Sequence, residues 1–176
     1  RGARRLRTQI QAGLIYRLLA GVDSFAETVS TTTALAEAAL AASLAHHRPI
    51  LEHGFGAPED PRFVVIGMGK LGGRELNLSS DIDIFCLFAR DGETGGPRVR
   101  DHGEFFTRLT QQMAKSLDQQ TADGFVARVD QRLRPWGSAG QLAIPVVACE
   151  DYYEVHGREW ERFALIKARP VAGDFE

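Results

Sequence analysis

The hydrophobic pattern changes period partway along the chain. From residue 3 to about residue 52, Ala and Leu recur with no strand-like alternation, which predicts two or three helices. The first is expected from about Arg4 to Ala20. Its basic start, Arg4, Arg5 and Arg7, sits poorly at the positive end of a helix dipole, so this helix is expected to begin upstream of the chain. Asp23 or Ser24 can cap the next helix, with Glu27 at capping-box spacing from Ser24. Pro49 is expected to interrupt or restart it. Gly54 to Pro61, with breakers at Pro58 and Pro61, reads as a linker.

Beyond Pro61 the runs are short and apolar. Strands are predicted over 62–66 and 82–89, with a turn and short helix over 71–78 between them. Asp91 to Pro97 reads as an exposed, mobile glycine-rich loop. Over 101–120, Phe105, Leu109, Met113 and Leu117 repeat every four residues, the stripe of a half-buried helix. A turn at 121–124 leads to a strand over 125–133, with 142–144 as its candidate partner. Residues 150–168 are predicted helical, broken near Gly157 and ended by Pro170, with Trp160 and Phe163 as helix-packing residues. The division is a helical segment, 1–57, followed by an α+β domain, 58–176. The first residue, Arg1, and the ending Asp174-Phe175-Glu176 lead us to expect a piece of a longer protein.

Composition narrows the function classes. A formal charge of −2 and a pI near 6.2 argue against a general nucleic-acid binder. No apolar stretch approaches the ~20 residues that span a bilayer. With no signal-peptide pattern either, the expected compartment is the cytoplasm, without membrane association. Cys86 and Cys149 do not suggest a disulfide framework, and Cys86 reads as a small buried hydrophobe. His46, His47 and His53 have no paired carboxylate and read as helix-end residues rather than a metal site.

The chemistry is concentrated in Gly67-Met68-Gly69-Lys70-Leu71-Gly72-Gly73 and Ser79-Ser80-Asp81-Ile82-Asp83. Residues i and i+2 of a strand share a face, so Asp81 and Asp83 project together beside a turn rich in backbone N–H groups. Two hard oxygen ligands next to a phosphate cradle suit a divalent cation and chemistry at phosphorus. Gly67-x-Gly69-x-x-Gly72 also matches a dinucleotide-binding fingerprint, but that unit needs a full helix next and an acid about 20 residues on. Here only about two helical turns fit before the acids, which open the second apolar run rather than close it. Around Asp130 the even positions Arg128, Asp130, Arg132 and Arg134 are charged, and the odd positions Phe125, Ala127, Val129 and Leu133 are apolar. Asp130 is therefore either part of an ion-pair cluster of small energetic worth or a third metal ligand with Asp81 and Asp83. In the second case Arg132 and Arg134 would neutralise phosphate oxygens.

The glycine turn followed by the acid-x-acid strand resembles the DNA polymerase β-like nucleotidyltransferase superfamily, with Lys70 where that pattern usually has Ser or Gly. The longer motifs are more specific. Gly67 to Asn77, Arg128 to Gly137, Gly140-Gln141-Leu142, Glu150 to Tyr153, Gly157 to Ala164 and Lys167 to Arg169 resemble the glutamine synthetase adenylyltransferase/adenylyl-removing family. The resemblance covers about Arg62 to Asp174. It implies a small mixed sheet with flanking helices in the polymerase β-like fold, after the helical segment. It implies two nucleotidyltransferase domains in one parent chain, one adenylylating glutamine synthetase and the other, N-terminal, removing AMP by phosphorolysis. Glu150-Asp151-Tyr152-Tyr153 and Gly157 to Arg162 are similar to the adenylyl-removing copy.

The same resemblance implies Asp81, Asp83 and Asp130 as catalytic residues and ligands of two Mg2+ ions, or of Mn2+, which takes similar oxygen ligands. It places phosphate or nucleotide contacts at Gly69, Lys70, Gly72, Ser80, Arg132, Arg134 and Lys167, although Lys167 and Arg169 read equally well as helix-dipole partners. Implied partners are the adenylylated tyrosine of glutamine synthetase, phosphate, adenine nucleotide and, through the parent chain, a PII-type nitrogen-signalling protein. Two other readings stand beside this one. The domain could adenylylate from ATP, or it could bind nucleotide or a PII-type protein without turnover.

Overall fold

The computed structural model describes residues 2–175. Two helices lead: α1 (Gly2–Leu19) and α2 (Phe25–Phe55). Ser24 caps α2, and Glu27 returns the bond to the Ser24 backbone in a full capping box. Pro49 lies within α2 and does not interrupt it. One backbone bond is lost there, but Leu44 and Leu51 on either side are both buried and keep the two halves in line. The helical part is therefore two helices.

The sheet comprises β1 (Phe63–Gly67), β2 (Ile82–Phe88), β3 (Val129–Asp130), β4 (Ala143–Pro145) and β5 (Arg169–Gly173). Its order is β3-β2-β1-β5, with β4 also on β2. β1 runs antiparallel to β2 and to β5, whereas β3 and β4 run parallel to β2. The sheet is mixed, with flanking helices, as the α+β reading expected. The long strand expected over 125–133 is only two residues. β4 takes the β2 edge at 86–88, which leaves β3 only 82–83. Residues 142–144 thus contribute to a strand paired with β2, not with the 125–133 segment.

α4 (His102–Asp118), capped by Asp101, packs with α2 over one face of the sheet. Phe105, Leu109, Met113 and Leu117 are all buried, as their spacing predicts. The rings of Phe63, Phe106 and Phe88 stack in sequence, with centroids 5.3 and 5.0 Å apart. Cys86 is buried in this core, and burial pushes its thiol up to about 12.

The 91–97 loop is exposed at Asp91, Glu93, Gly95 and Pro97, as expected, and is tied down at Thr94. Thr94 is buried, and the two ring nitrogens of His102 lie 2.8 and 3.1 Å from the carbonyls of Arg90 and Glu93. Gly56 and Gly96 cross so closely that a Cβ on Gly56 would lie 2.2 Å from the Gly96 nitrogen.

The C-terminal helix breaks near Gly157, as expected, and its last turn ends at Lys167, one residue before the expected end. α5 (Val146–Asp151) passes into a π turn at 152–156, and α6 (Glu159–Ala164) into a single 3-10 turn. Pro170 sits within β5, where an edge strand tolerates its missing N–H. Trp160 and Phe163 are exposed at 56% and 75%, so they are not packing residues. The second, smaller core beneath this segment is instead filled by Met68, Phe85, Ile144 and Cys149.

Candidate functional site

The site lies where β1 gives way to a tight turn and α3 (Gly69–Gly72). Gly69 takes φ +50°, and a Cβ there would stand 3.0 Å from Asp83 Oδ2. The Met68 N–H donates to the Asp83 carbonyl at 2.8 Å and ties the turn to β2. At Gly72 a Cβ would lie 1.9 Å from the Lys167 carbonyl oxygen and 2.5 Å from that of Gly67. Only glycine admits this three-way backbone approach. Lys70 reaches along the turn to Ser80 Oγ at 3.5 Å, and Ser80 Oγ donates to Asn77 Oδ1 at 2.7 Å.

Alternation along β2 separates two faces. Ile82, Ile84, Cys86 and Phe88 point into the main core. Asp81, Asp83, Phe85 and Leu87 take the other side, polar at the start of the strand and apolar further on. In the parallel pairing, Asp83 is the register partner of Asp130, and the Ile82 N–H donates to the Arg128 carbonyl at 2.9 Å. Register partners in a parallel pair share a face. Three carboxylates thus meet at the head of one strand pair.

Their electrostatics differ. Asp83 is pushed above the usual aspartate value, first by burial, then by the negative charges of Asp130 and Asp81. Asp130 is held below it, chiefly by hydrogen bonds from Arg132. Arg132 Nε lies 3.1 and 2.9 Å from the two Asp130 oxygens. Asp81 is paired with Arg128. With Asp81 and Asp130 turned to these arginines, no three acidic, His or Cys side chains among the described residues are gathered tightly enough to hold a metal ion as they stand.

The other expected site residues are distributed unevenly. Arg134 is engaged by backbone, donating to the carbonyls of Gly140 (3.0 Å), Gln131 (2.6 Å) and Ser138 (3.1 Å). It braces the loop after β3, though its charge still lowers Asp130. Lys167 touches the glycine turn through its backbone, and its ammonium pairs with Glu75. Arg169 donates to the carbonyls of Gly72 and Leu71, at 3.1 and 3.2 Å, and pairs with Glu37. It complements the C-terminal end of α3, a different helix from the one its sequence position suggests. Sequence reasoning gave no role to Arg128 or Glu75. Arg128 was visible on the charged face of the 125–133 segment, but its partner, 47 residues earlier, was not.

The glycine turn and the three carboxylates lie together at the head of a small mixed sheet. The chain belongs to the glutamate-ammonia ligase adenylyltransferase family, whose family model matches residues 1–176. Relatives named bifunctional glutamine synthetase adenylyltransferase/adenylyl-removing enzyme include that of Thioalkalivibrio sulfidiphilus, 49% identical over 100% of this chain and 19% of its own length. That of Pseudomonas aeruginosa is 50% identical over 99% of this chain and 18% of its own. That of Stenotrophomonas maltophilia is 46% identical over 98% and 19%. The chain thus spans about a fifth of the length of these relatives. Among the described residues no helix is long and apolar enough to cross a membrane.

Proposed function

We propose that this chain is a nucleotidyltransferase domain of the DNA polymerase β-like fold that removes AMP from the adenylylated tyrosine of glutamine synthetase by phosphorolysis. The observation that carries the reading is the register of Asp83 against Asp130, with Asp81 on the same face and the Gly69 turn against Asp83. Family membership supplies the substrate class.

In phosphorolysis an oxygen of inorganic phosphate attacks the α-phosphorus. The bond from phosphorus to the tyrosine oxygen breaks, ADP forms, and the tyrosinate takes up a proton. The donor set is all carboxylate oxygen, and its most buried member, Asp83, is already strained by two like charges. That set fits hard divalent cations, Mg2+ or Mn2+, held by Asp81, Asp83 and Asp130. Such ions supply Lewis acidity toward phosphoryl oxygens and a leaving tyrosinate. The chain's own groups orient the reactants. Lys70 lies beside Ser80 at the turn, and the two would hold phosphate oxygens. Arg132, its side chain 80% exposed, can swing from Asp130 to an incoming phosphate when the carboxylate is otherwise neutralised. Gly69 keeps the approach to Asp83 free of a side chain, and Gly72 lets the turn close against the Lys167 backbone. Glutamine synthetase is the protein partner in this reading, the cytoplasm the compartment, and a PII-type protein acts through the parent chain.

The test uses adenylylated glutamine synthetase, Mg2+ and phosphate. ADP should form, require phosphate, and vanish in Asp81→Asn with the fold intact. Pyrophosphate from ATP would instead mark adenylylation, and saturable nucleotide binding with no product would mark a sensor.

A further inference from the structure

Arg7 on α1 and Arg128 just before β3 share one aromatic ring. Their guanidinium carbons lie 4.4 and 5.8 Å from the centroid of Phe125. Arg128 is partnered by Asp81 and by the Ser79 carbonyl, the latter at 2.6 Å. Arg7 makes no hydrogen bond or ion pair among the described residues, and its Nε is shut off from solvent with no acceptor. Buried donors left unpaired are uncommon and call for a cause. Burial and the neighbouring Arg128 charge hold the Arg7 guanidinium below its ordinary value, as expected of a cation short of a counter-charge.

Both arginines line a cavity of about 50 Å3 between α1, α2 and the 125–128 segment. Its walls also carry the polar residues Gln11, Asn77, Ser79 and Ser80, over an apolar floor that includes Ala36. A water needs roughly 10–15 Å3 of such space, so the cavity takes a compact group of a few heavy atoms. Paired guanidiniums favour tetrahedral oxyanions, which accept two parallel N–H bonds from each fork. Of the residues expected to contact phosphate at the glycine turn only Ser80 also lines this cavity, so it is a second place for negative charge, joined to the acids through the Asp81–Arg128 pair.

We propose that this cavity binds a small phosphate-class oxyanion between Arg7 and Arg128, and that binding draws Arg128 away from Asp81. The binding stands on the cavity alone; only the consequence for Asp81 rests on the proposed phosphoryl chemistry. Anion occupancy would then release one of the three carboxylates from its arginine. The coupling is reciprocal: loss of the Asp81 charge should tighten anion binding by the factor with which the anion weakens the Asp81–Arg128 pair.

The experiment is a titration of the chain with inorganic phosphate, followed by calorimetry and by the arginine Nε–H resonances. In the wild type the Arg7 and Arg128 resonances should shift together and saturate. Arg7→Gln should weaken phosphate binding about ten-fold or more, the loss expected of a charge-assisted donor. Asp81→Asn should tighten it, and the Arg7 resonance is the readout that separates this cavity from the glycine turn. AMP that displaces phosphate and shifts the Arg7 resonance would identify the occupant as the phosphoryl end of a nucleotide; AMP without effect would identify the free anion. An Arg7 resonance that ignores phosphate in the wild type overturns the proposal whatever the variants do. So does binding that survives Arg7→Gln and disappears in Lys70→Met, which would place the anion at the glycine turn. None of these readouts needs turnover, so the proposed function can fail while this stands, and the reverse.

Discussion

The two faces of β2 have the same backbone and opposite purposes. On one face Ile82, Ile84, Cys86 and Phe88 are each 1% exposed and packed under α2 and α4. On the other, two carboxylates precede two apolar residues, and a third carboxylate is brought alongside by β3. Burial of the first face supplies stability, at roughly 25 cal/mol per Å2 of apolar surface removed from water. The second face gives some back, because like charges held near one another repel. A strand with period two can keep both demands separate while fixing them to one rigid element.

This contrast sets the expected effects of substitution. The largest should come from the acid face. Asp83→Asn should lower phosphate-dependent ADP release by about a thousand-fold or more, the scale of losing a main electrostatic contributor. Its thermal midpoint should be unchanged or higher, because a half-buried charge with two like neighbours is removed. A clear fall in midpoint would mean that Asp83 is structural. On the core face the order reverses. Phe106→Ala, at a fully buried ring between Phe63 and Phe88, should cost about 3–5 kcal/mol in denaturant unfolding.

The smallest effect is in pH dependence. Asp83, raised in the folded chain, contributes fully below its unfolded value of about 3.9, and that contribution is lost as pH rises through the folded value. Asp130, held low by Arg132, contributes above its unfolded value and loses the contribution as pH falls through the folded one. Unfolding followed from below the unfolded aspartate value, about 3.9, up to neutral pH should therefore show two opposed slopes in the wild type. Asp83→Asn should remove the Asp83 slope and keep the opposed one, to which Asp130 contributes.

What was legible in the sequence follows from range. β1, the glycine turn, β2 and α4 are written in local periodicity, and their positions came close to those observed. The same-face relation of Asp81 and Asp83 is also local. Asp130 was visible as an acid on a charged face, but its register against Asp83 depends on β4 claiming the rest of the β2 edge. β5 was hidden because Pro170 reads locally as a helix stop, and only β1 makes it a strand. The Asp81–Arg128 pair, the His102 anchor and the exposure of Trp160 are decided by distant packing, which no local pattern carries.

The sharing of one β2 edge by β3 and β4 has a further consequence. The connection from residue 131 to residue 142 is pinned at both ends to the same strand, and Arg134 braces it from within through three carbonyls. Its ends are held near each other whatever its length, so added residues cost only a slowly growing closure entropy. Residues added at the tip of this loop therefore cost the fold little, while the clip at Val129–Asp130 keeps the acid where it is.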